Sequence, residues 1–124
     1  MLRAAASSMA LLLCLGGSLH AACRFDVAGI YIGFESPIRG EADSGKICGF
    51  GSMGMHGAKQ DSFRVAQPPH HGVAGVGDNS GMPVIGYRSA AGYRGPDEFI
   101  VSFIGGGPNT ANQESRLHVY LDVK

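Results

Sequence analysis

Methionine and histidine side chains near the middle of the chain are the residues whose types could bind a metal ion. Met53, Met55 and His56 lie close together in a glycine-rich stretch, and His70 and His71 are adjacent further along. Thioether sulfur and imidazole nitrogen together suit copper. The spacing matches no standard tetrahedral pattern, and the sequence does not show that the two groups meet. A copper site is therefore an alternative hypothesis, and adventitious metal binding is favoured over it.

The same glycine-rich stretch contains a motif that is typical of nucleotide-binding proteins. Residues 49–54 read GxGxxG, which binds a dinucleotide when it joins a strand to a helix whose N-terminus receives the pyrophosphate. Here Met55, His56 and Gly57 follow, and no helix-forming run comes after them. The motif is interpreted as a glycine-rich loop, and we expect no cofactor.

Residue types that could support hydrolysis are present, but not in a catalytic arrangement. No serine stands in a GxSxG context, and His118 alternates with Tyr120 on the outward side of the last expected strand, which indicates a surface residue. Asp97 and Glu98 are neighbouring carboxylates, yet on a strand they point to opposite faces. We interpret Asp97 as a cap for loop N–H groups and expect no enzymatic activity.

The elements that must position these residues are short β-strands. Twenty Gly and six Pro in 124 residues favour short strands joined by tight turns, and outside the N-terminus there is no convincing helical period. The expected strands are 25–34, 47–48, 63–67, 73–76, 83–87, 99–104 and 116–123. In the last two strands alternate residues are expected to share one face, and these are Phe99, Val101 and Phe103, then Leu117, Val119, Leu121 and Val123. Residues 35–46, 77–81 and 105–112 are expected to be loops. About seven short antiparallel strands of this kind predict an all-β sandwich.

One third of the chain also carries a family resemblance, in the order Pro-x-His-Gly, then Tyr, then Gly-Tyr-x-Gly-x-Asp-x-Phe. The matching residues are Pro69, His71, Gly72, Tyr87, Gly92, Tyr93, Gly95, Asp97 and Phe99. This segment resembles the C-terminal half of bacterial immunoglobulin-like (cadherin-like) β-sandwich domains, including the small secreted proteins of proteobacteria. The resemblance implies an immunoglobulin-like fold and a non-enzymatic class, and it gives these residues structural roles.

The N-terminus has the pattern of an export signal. Arg3 supplies a positive charge, residues 9–15 form an apolar run, and residues 18–22 are mostly small. The apolar run is too short to span a bilayer as a helix. The sequence thus predicts a signal peptide over residues 1–22 and one mature immunoglobulin-like domain over residues 23–124. We expect the mature chain to be periplasmic or secreted and to have no transmembrane segment.

Two cysteines remain after the leader is removed. Cys23 and Cys48 are expected to form a disulfide, because an even number of cysteines in an oxidising compartment favours pairing. A lipid anchor on Cys23 is the competing interpretation. His20 stands where a lipobox requires an apolar residue, so the disulfide is favoured.

Charge and composition narrow the class of partner. Without Arg3 the chain has nine Lys and Arg against ten Asp and Glu, and no basic stripe or polybasic run marks a nucleic-acid or lipid-binding surface. We therefore expect a small, exported, non-catalytic domain that presents a surface for protein, glycan or cell-envelope binding. The sequence does not name the partner.

Overall fold

The chain is all-β in the computed structural model, which describes residues 22–27, 29–51 and 57–124. The described strands are β1 (Cys23–Asp26), β2 (Glu35–Ala42), β3 (Cys48–Gly51), β4 (Arg64–Gln67), β5 (Gly72–Asn79), β6 (Met82–Ser89), β7 (Gly95–Ile104) and β8 (Glu114–Val123). A short 3₁₀ turn over Gln60–Ser62 comes before β4. The all-β prediction is confirmed, whereas the expected signal peptide lies outside the described residues except for Ala22.

The strands form two sheets that enclose one core. A five-stranded sheet has the order β1-β2-β8-β7-β4, and a three-stranded sheet has the order β3-β6-β5. The pairs are antiparallel with one exception, because β2 lies parallel to β8 with Glu35 opposite Arg116 and Ala42 opposite Val123. The expectation of purely antiparallel strands is wrong at this pair. A parallel pair needs a long connection, and β3 to β7 provide it.

Strand β2 occupies a segment that the sequence analysis expected to be a loop. Ser36, Ile38 and Ala42 point into the core, while Glu35 and Arg39 are exposed. The polar composition of this segment therefore comes from the outward half of a strand with one solvated face. Ile38 is the one large apolar residue of this strand, so the strand has only a weak hydrophobic signal.

The first strand is shorter than expected. Strand β1 ends at Asp26, and residues 29–34 do not continue it. Ile30 and Ile32 still pack against the core, whereas Phe34 is largely exposed. Gly33 has φ 89° and its amide donates to the Ser115 hydroxyl at 2.7 Å, so the chain turns here and cannot extend the strand.

Strands β5 and β6 form a longer hairpin than the sequence predicts. Ser80 and Gly81 alone connect them, with φ values of 53° and 86°. Two consecutive positive φ values are typical of a type I′ turn, which matches the twist of paired strands. The expected five-residue loop over residues 77–81 is therefore wrong, because the strands continue up to the turn.

The core lies between the two sheets and is built mainly by β7 and β8. The residues expected to face inward from both strands all belong to this core, and they are Phe99, Val101, Phe103, Leu117, Val119, Leu121 and Val123. In β7 the intervening Ile100 and Ser102 are buried as well. Ile38 from β2 completes this side. Ile85 and Tyr87 from the three-stranded sheet pack against them.

A disulfide joins the two sheets at their edge strands. Cys23 on β1 is bonded to Cys48 on β3, with a Cα–Cα distance of 5.7 Å. The two residues are 25 positions apart, so the bond closes a loop of moderate length. This pairing confirms the prediction from the cysteine count, and a lipid-modified Cys23 would not have a thiol with which to form it.

We expect the replacement of both Cys23 and Cys48 by Ala to lower the free energy of unfolding by about 3 kcal/mol, because the unfolded chain loses a covalent constraint. Urea denaturation measures the change, and reduced wild-type protein is the control that should reproduce it. Thiol labelling of protein from its native compartment should modify neither cysteine before reduction. Free labelling of Cys48, together with a lipid mass on the N-terminal peptide, would contradict the disulfide.

Candidate functional site

The Asp97 carboxylate is the most highly connected polar group among the described residues. It points inward from β7, and the residue is 6% exposed. One oxygen accepts from the backbone N–H of His70 at 2.9 Å and of Glu98 at 3.0 Å. The other accepts from the His71 N–H at 3.2 Å and the Tyr87 hydroxyl at 2.7 Å. The carboxylate thus joins β6, β7 and the connection between β4 and β5.

Local sequence explains why this corner needs a carboxylate. Pro68 and Pro69 end β4, so the chain turns at His70 and His71 and leaves two N–H groups without a strand partner. Both histidines are exposed residues, but their N–H groups point towards the protein, where an acceptor stabilises them. Asp97 supplies it from the start of β7.

Tyr93 and Gly95 shape the approach of the chain to Asp97. The Tyr93 ring stacks on the His71 ring, with centroids 4.0 Å apart and planes 6° apart, and its hydroxyl donates to the Pro96 carbonyl. Gly95 has φ 129°, and a Cβ there would lie 3.2 Å from the Tyr93 hydroxyl. Glycine is therefore required at this position by both conformation and space.

Tyr87 is a buried hydroxyl donor. Burial raises its pKa above the ordinary tyrosine value, and the hydrogen bond and negative charge of Asp97 raise the pKa further. The ring also stacks parallel to Phe99 with centroids 5.8 Å apart. Tyr87 thus stays protonated and holds the carboxylate, and this arrangement leaves it unsuited to act as an acid.

Gly72 begins β5 directly after the corner. A Cβ at this position would lie 2.4 Å from the carbonyl oxygen of Arg88 and 2.8 Å from Cα of Ser89. Because both atoms belong to the backbone of β6, the neighbouring strand would have to move. Gly72 therefore allows β5 to begin close beside β6.

A polar groove of about 610 Å³ lies beside the corner on the five-stranded sheet. Arg39, Glu98, Tyr120 and Asp122 form its walls together with the His70–His71 turn. The Arg39 guanidinium carbon lies 4.8 Å from the centroid of the Tyr120 ring, a cation–π geometry. The groove presents charges of both signs around one aromatic ring.

His118 is less exposed than the sequence analysis expected. It does point outward, but its side chain is 17% exposed. Its Nε2 lies 2.9 Å from Glu98 Oε2 and its Nδ1 lies 3.7 Å from Glu35 Oε1. The ring also stacks on Tyr120 at 4.1 Å. Neighbours on β2, β7 and β8 thus cover the histidine and connect those strands.

The residues of the copper hypothesis are only partly described. Met53, Met55 and His56 lie outside the described residues, as does the second half of the GxGxxG motif. The rings of His70 and His71 are tilted by 57° with centroids 6.4 Å apart. Within the described ranges, no group of three or more His, Cys, Asp or Glu residues is placed to hold a metal ion. The copper site stays a prediction.

The outer surface of the three-stranded sheet is a feature that the sequence analysis missed. Its inward residues, such as Ala74, Val76 and Ile85, pack on the core, and the alternate positions that face outward are rich in glycine. We call these outward residues the glycine face: Gly49, Gly51, Gly75, Gly77 and Gly86. Gly49 and Gly75 both lie opposite Gly86, so one row of glycines crosses all three strands. In the sequence, glycine at every second position of a strand was the pattern that could have predicted the glycine face.

Comparison with known proteins assigns no family. No protein-family model matches the chain, and no curated protein matches it.

No helix in the described part of the chain has the length and hydropathy required to cross a bilayer.

We expect Asp97→Ala to lower the free energy of unfolding by about 3 kcal/mol, because it leaves the buried Tyr87 hydroxyl and three partly buried backbone N–H groups without an acceptor. Asp97→Asn, which keeps one acceptor oxygen, should lie between this variant and the wild type. Asp122→Ala, an exposed carboxylate in the same groove, is the matched control and should change the free energy by less than about 0.5 kcal/mol. Urea denaturation provides the comparison, and equal midpoints for wild type and Asp97→Ala would contradict the assignment.

Proposed function

We propose that the chain is a small, exported, non-catalytic immunoglobulin-like domain that presents a surface for binding a protein, a glycan or a cell-envelope component. Its two-sheet fold is compatible with a β-sandwich, and the corner at Asp97 is formed by residues of the motif that resembles such domains. The Cys23–Cys48 disulfide suits an oxidising compartment.

The observation that carries this proposal is the glycine face. A Cβ added at Gly51 or Gly75 would meet no atom within 4 Å, and at Gly77 and Gly86 the nearest atoms are 4.0 and 3.8 Å away. The fold therefore has room for side chains at these four positions. Glycine in a strand interior costs roughly 0.5–1 kcal/mol relative to alanine. Glycines that packing does not require mark a surface where another molecule approaches the backbone closely.

Exposed apolar residues surround the glycine face. Ile47 is 76% exposed, Val73 is 73% exposed and Met82 is 48% exposed. Together with Val84 and the glycines, Ile47 and Val73 line a shallow cleft of about 570 Å³. Exposed apolar side chains that cluster around a concave surface are typical of interaction sites.

The chemistry of this cleft favours a protein partner. The only aromatic residue in its lining is Tyr87, whose ring is 2% exposed and faces the core. Stacking a sugar ring requires an accessible aromatic face, and none lines the described cleft. The polar groove around Arg39 and Tyr120 is the surface that would suit a glycan.

The hydrogen bonding of the candidate catalytic groups supports a non-catalytic class. The Ser62 hydroxyl donates to the Lys59 carbonyl at 2.6 Å, and the Ser89 hydroxyl donates to the Ala90 carbonyl at 3.1 Å. Asp97 is occupied by four donors, and His118 is paired with Glu98. These groups stabilise the fold through contacts with one another and with the backbone.

We expect Gly86→Lys to reduce capture of the partner from cell-envelope extract by at least about tenfold, because a long charged side chain would stand in the middle of the glycine face. Gly86 lies on the central strand, so the sheet edges are unchanged. Glu114→Lys, an exposed position on the five-stranded sheet, is the matched control and should capture the same protein as wild type.

Two further measurements make this result interpretable. Urea midpoints should agree for wild type and both lysine variants, which excludes unfolding as the cause. Undiminished capture by folded Gly86→Lys would exclude the glycine face as the site. Loss of capture in Arg39→Ala alone would assign binding to the polar groove.

A further inference from the structure

The four edge strands of the two sheets differ in how well they are protected from pairing with another chain. Strand β1 has four residues and carries Arg24 and Asp26, and β3 has four residues and begins at the disulfide. Strand β4 has four residues, a register shift between Val65 and Gln67, and prolines after it. Short length, charge, bulges and proline are the usual protections of a sheet edge. Three of the four edges therefore have them.

Strand β5 has none of these protections over most of its length. It is eight residues long, its register with β6 is unbroken from Gly72 to Asn79, and its only charged residue is Asp78. Among the described residues β5 is paired on one side only, with β6. It is thus a long, regular edge with free backbone groups.

The register shows which backbone groups are free. In a two-residue hairpin the residues beside the turn, Asn79 and Met82, exchange hydrogen bonds. At the other end of the hairpin the Ala90 N–H donates to the His71 carbonyl. Counting from either end, every second residue of β5 is hydrogen-bonded to β6. The N–H and C=O groups of Val73, Gly75 and Gly77 therefore point towards β6. The N–H and C=O groups that point away from the sheet belong to Gly72, Ala74, Val76 and Asp78.

We propose that β5 pairs antiparallel with β5 of a second copy of this chain, about a two-fold axis beside Gly75. This register places Gly72 opposite Asp78 of the second copy, and Ala74 opposite Val76 of the second copy. Each free N–H then meets a free C=O, which gives about eight backbone hydrogen bonds. A shift by two residues in either direction loses some of them, so the register is specified by the length of the edge.

The side chains of β5 are complementary to themselves in this register. On the outer face Val73 lies opposite Gly77 of the second copy, and on the inner face Ala74 lies opposite Val76 of the second copy. Each valine therefore meets a small residue, and the pairing covers part of the exposed Val73 side chain. Gly75 meets its own counterpart at the axis, where the absence of side chains allows close approach.

Charge placement also favours a second copy as the occupant. Antiparallel pairing puts the two Asp78 carboxylates at opposite ends of the strand pair, about 20 Å apart. That separation exceeds the Debye length of about 8 Å at physiological ionic strength. The only charged residue of β5 therefore does not oppose the association of two copies.

The pairing has a consequence for the proposed binding surface. The two-fold axis is perpendicular to the sheet, so both glycine faces lie on the same side of one continuous sheet with three strands from each copy. The dimer goes beyond the proposed function. It is inferred from the unpaired backbone edge of β5, whereas the proposed function is inferred from the outer surface of the sheet. A partner that binds the glycine face would meet two adjoining copies of it.

Sedimentation velocity of the exported protein over a concentration series tests the proposal. Wild type should show a reversible monomer–dimer equilibrium. Ala74→Pro should raise the dissociation constant at least about tenfold, because proline removes a free edge N–H and no bond to β6. Gly86→Lys, on the central strand, should dimerise like wild type. Wild type that is monomeric at every concentration, or Ala74→Pro that dimerises equally well, would overturn the proposal.

Oxidative crosslinking gives an independent readout if Ala74→Pro does not fold. A Cβ at Gly75 meets no atom within 4 Å, and the two-fold axis brings the two Cα atoms to about 4.5 Å, within the range for a disulfide. Gly75→Cys should therefore form a covalent dimer. Gly51→Cys, which is equally open but lies on the opposite edge strand, is the control and should stay monomeric. Equal crosslinking of both variants would overturn the register, and binding by monomeric wild type would leave the proposed function standing without the dimer.

Discussion

The buried Asp97 carboxylate is the interaction on which the arrangement of this domain depends. It lies on the five-stranded sheet, accepts a hydrogen bond from Tyr87 on the three-stranded sheet, and holds the two histidine N–H groups that lead into β5. A buried carboxylate is tolerated only when its hydrogen bonds are satisfied, and these three donors together with the Glu98 N–H satisfy this one. This contact holds the turn from which β5 begins, and β5 is the strand that carries the free edge and part of the glycine face.

The two sheets differ in what they present to solvent. The outer side of the five-stranded sheet carries stacked rings, a cation–π contact and a side-chain hydrogen bond, formed by Arg39, Tyr120, His118 and Glu98. The three-stranded sheet presents glycine and exposed apolar side chains, with Arg88 at one side of the cleft that they line. The disulfide ties the sheets together through β1 and β3, at the edge away from β5. Among the described residues, these side-chain contacts and the disulfide therefore lie away from the glycine face and from the outer edge of β5. That face and that edge are accessible.

The parts that could be predicted from the sequence are those with a local signal. Alternation in β7 and β8 identified Phe99 and Leu117 as core residues, and the cysteine count identified the disulfide. Strand β2 was not recognised, because Ile38 is its only large apolar residue and most of its outer residues are charged. Its parallel pairing with β8 could not be predicted either, since no local pattern specifies a partner so distant in the sequence.

The candidate site shows the same division between local and long-range information. The role of Asp97 as a cap for loop N–H groups was expected from its position after Gly95 and Pro96. Its bond to Tyr87 depends on the packing of two sheets and had no sequence signal. The glycine face did have one, because Gly75 and Gly77 alternate along β5. Gly75 was placed in an expected strand, but Gly77 and the stretch over residues 49–54 were interpreted as loops. The strand assignment was needed to recognise them as a surface.

Amide hydrogen exchange along β5 in dilute protein tests most directly whether the Asp97 corner leaves this edge free. The account predicts an alternating pattern, with Val73, Gly75 and Gly77 protected by β6 and Ala74, Val76 and Asp78 exchanging fast. The His70 and His71 amides should be protected by Asp97, although they lie in a turn. Uniform protection along β5 would contradict the account, because the chain would then cover its own edge, and fast exchange at both histidines would contradict the role of the carboxylate.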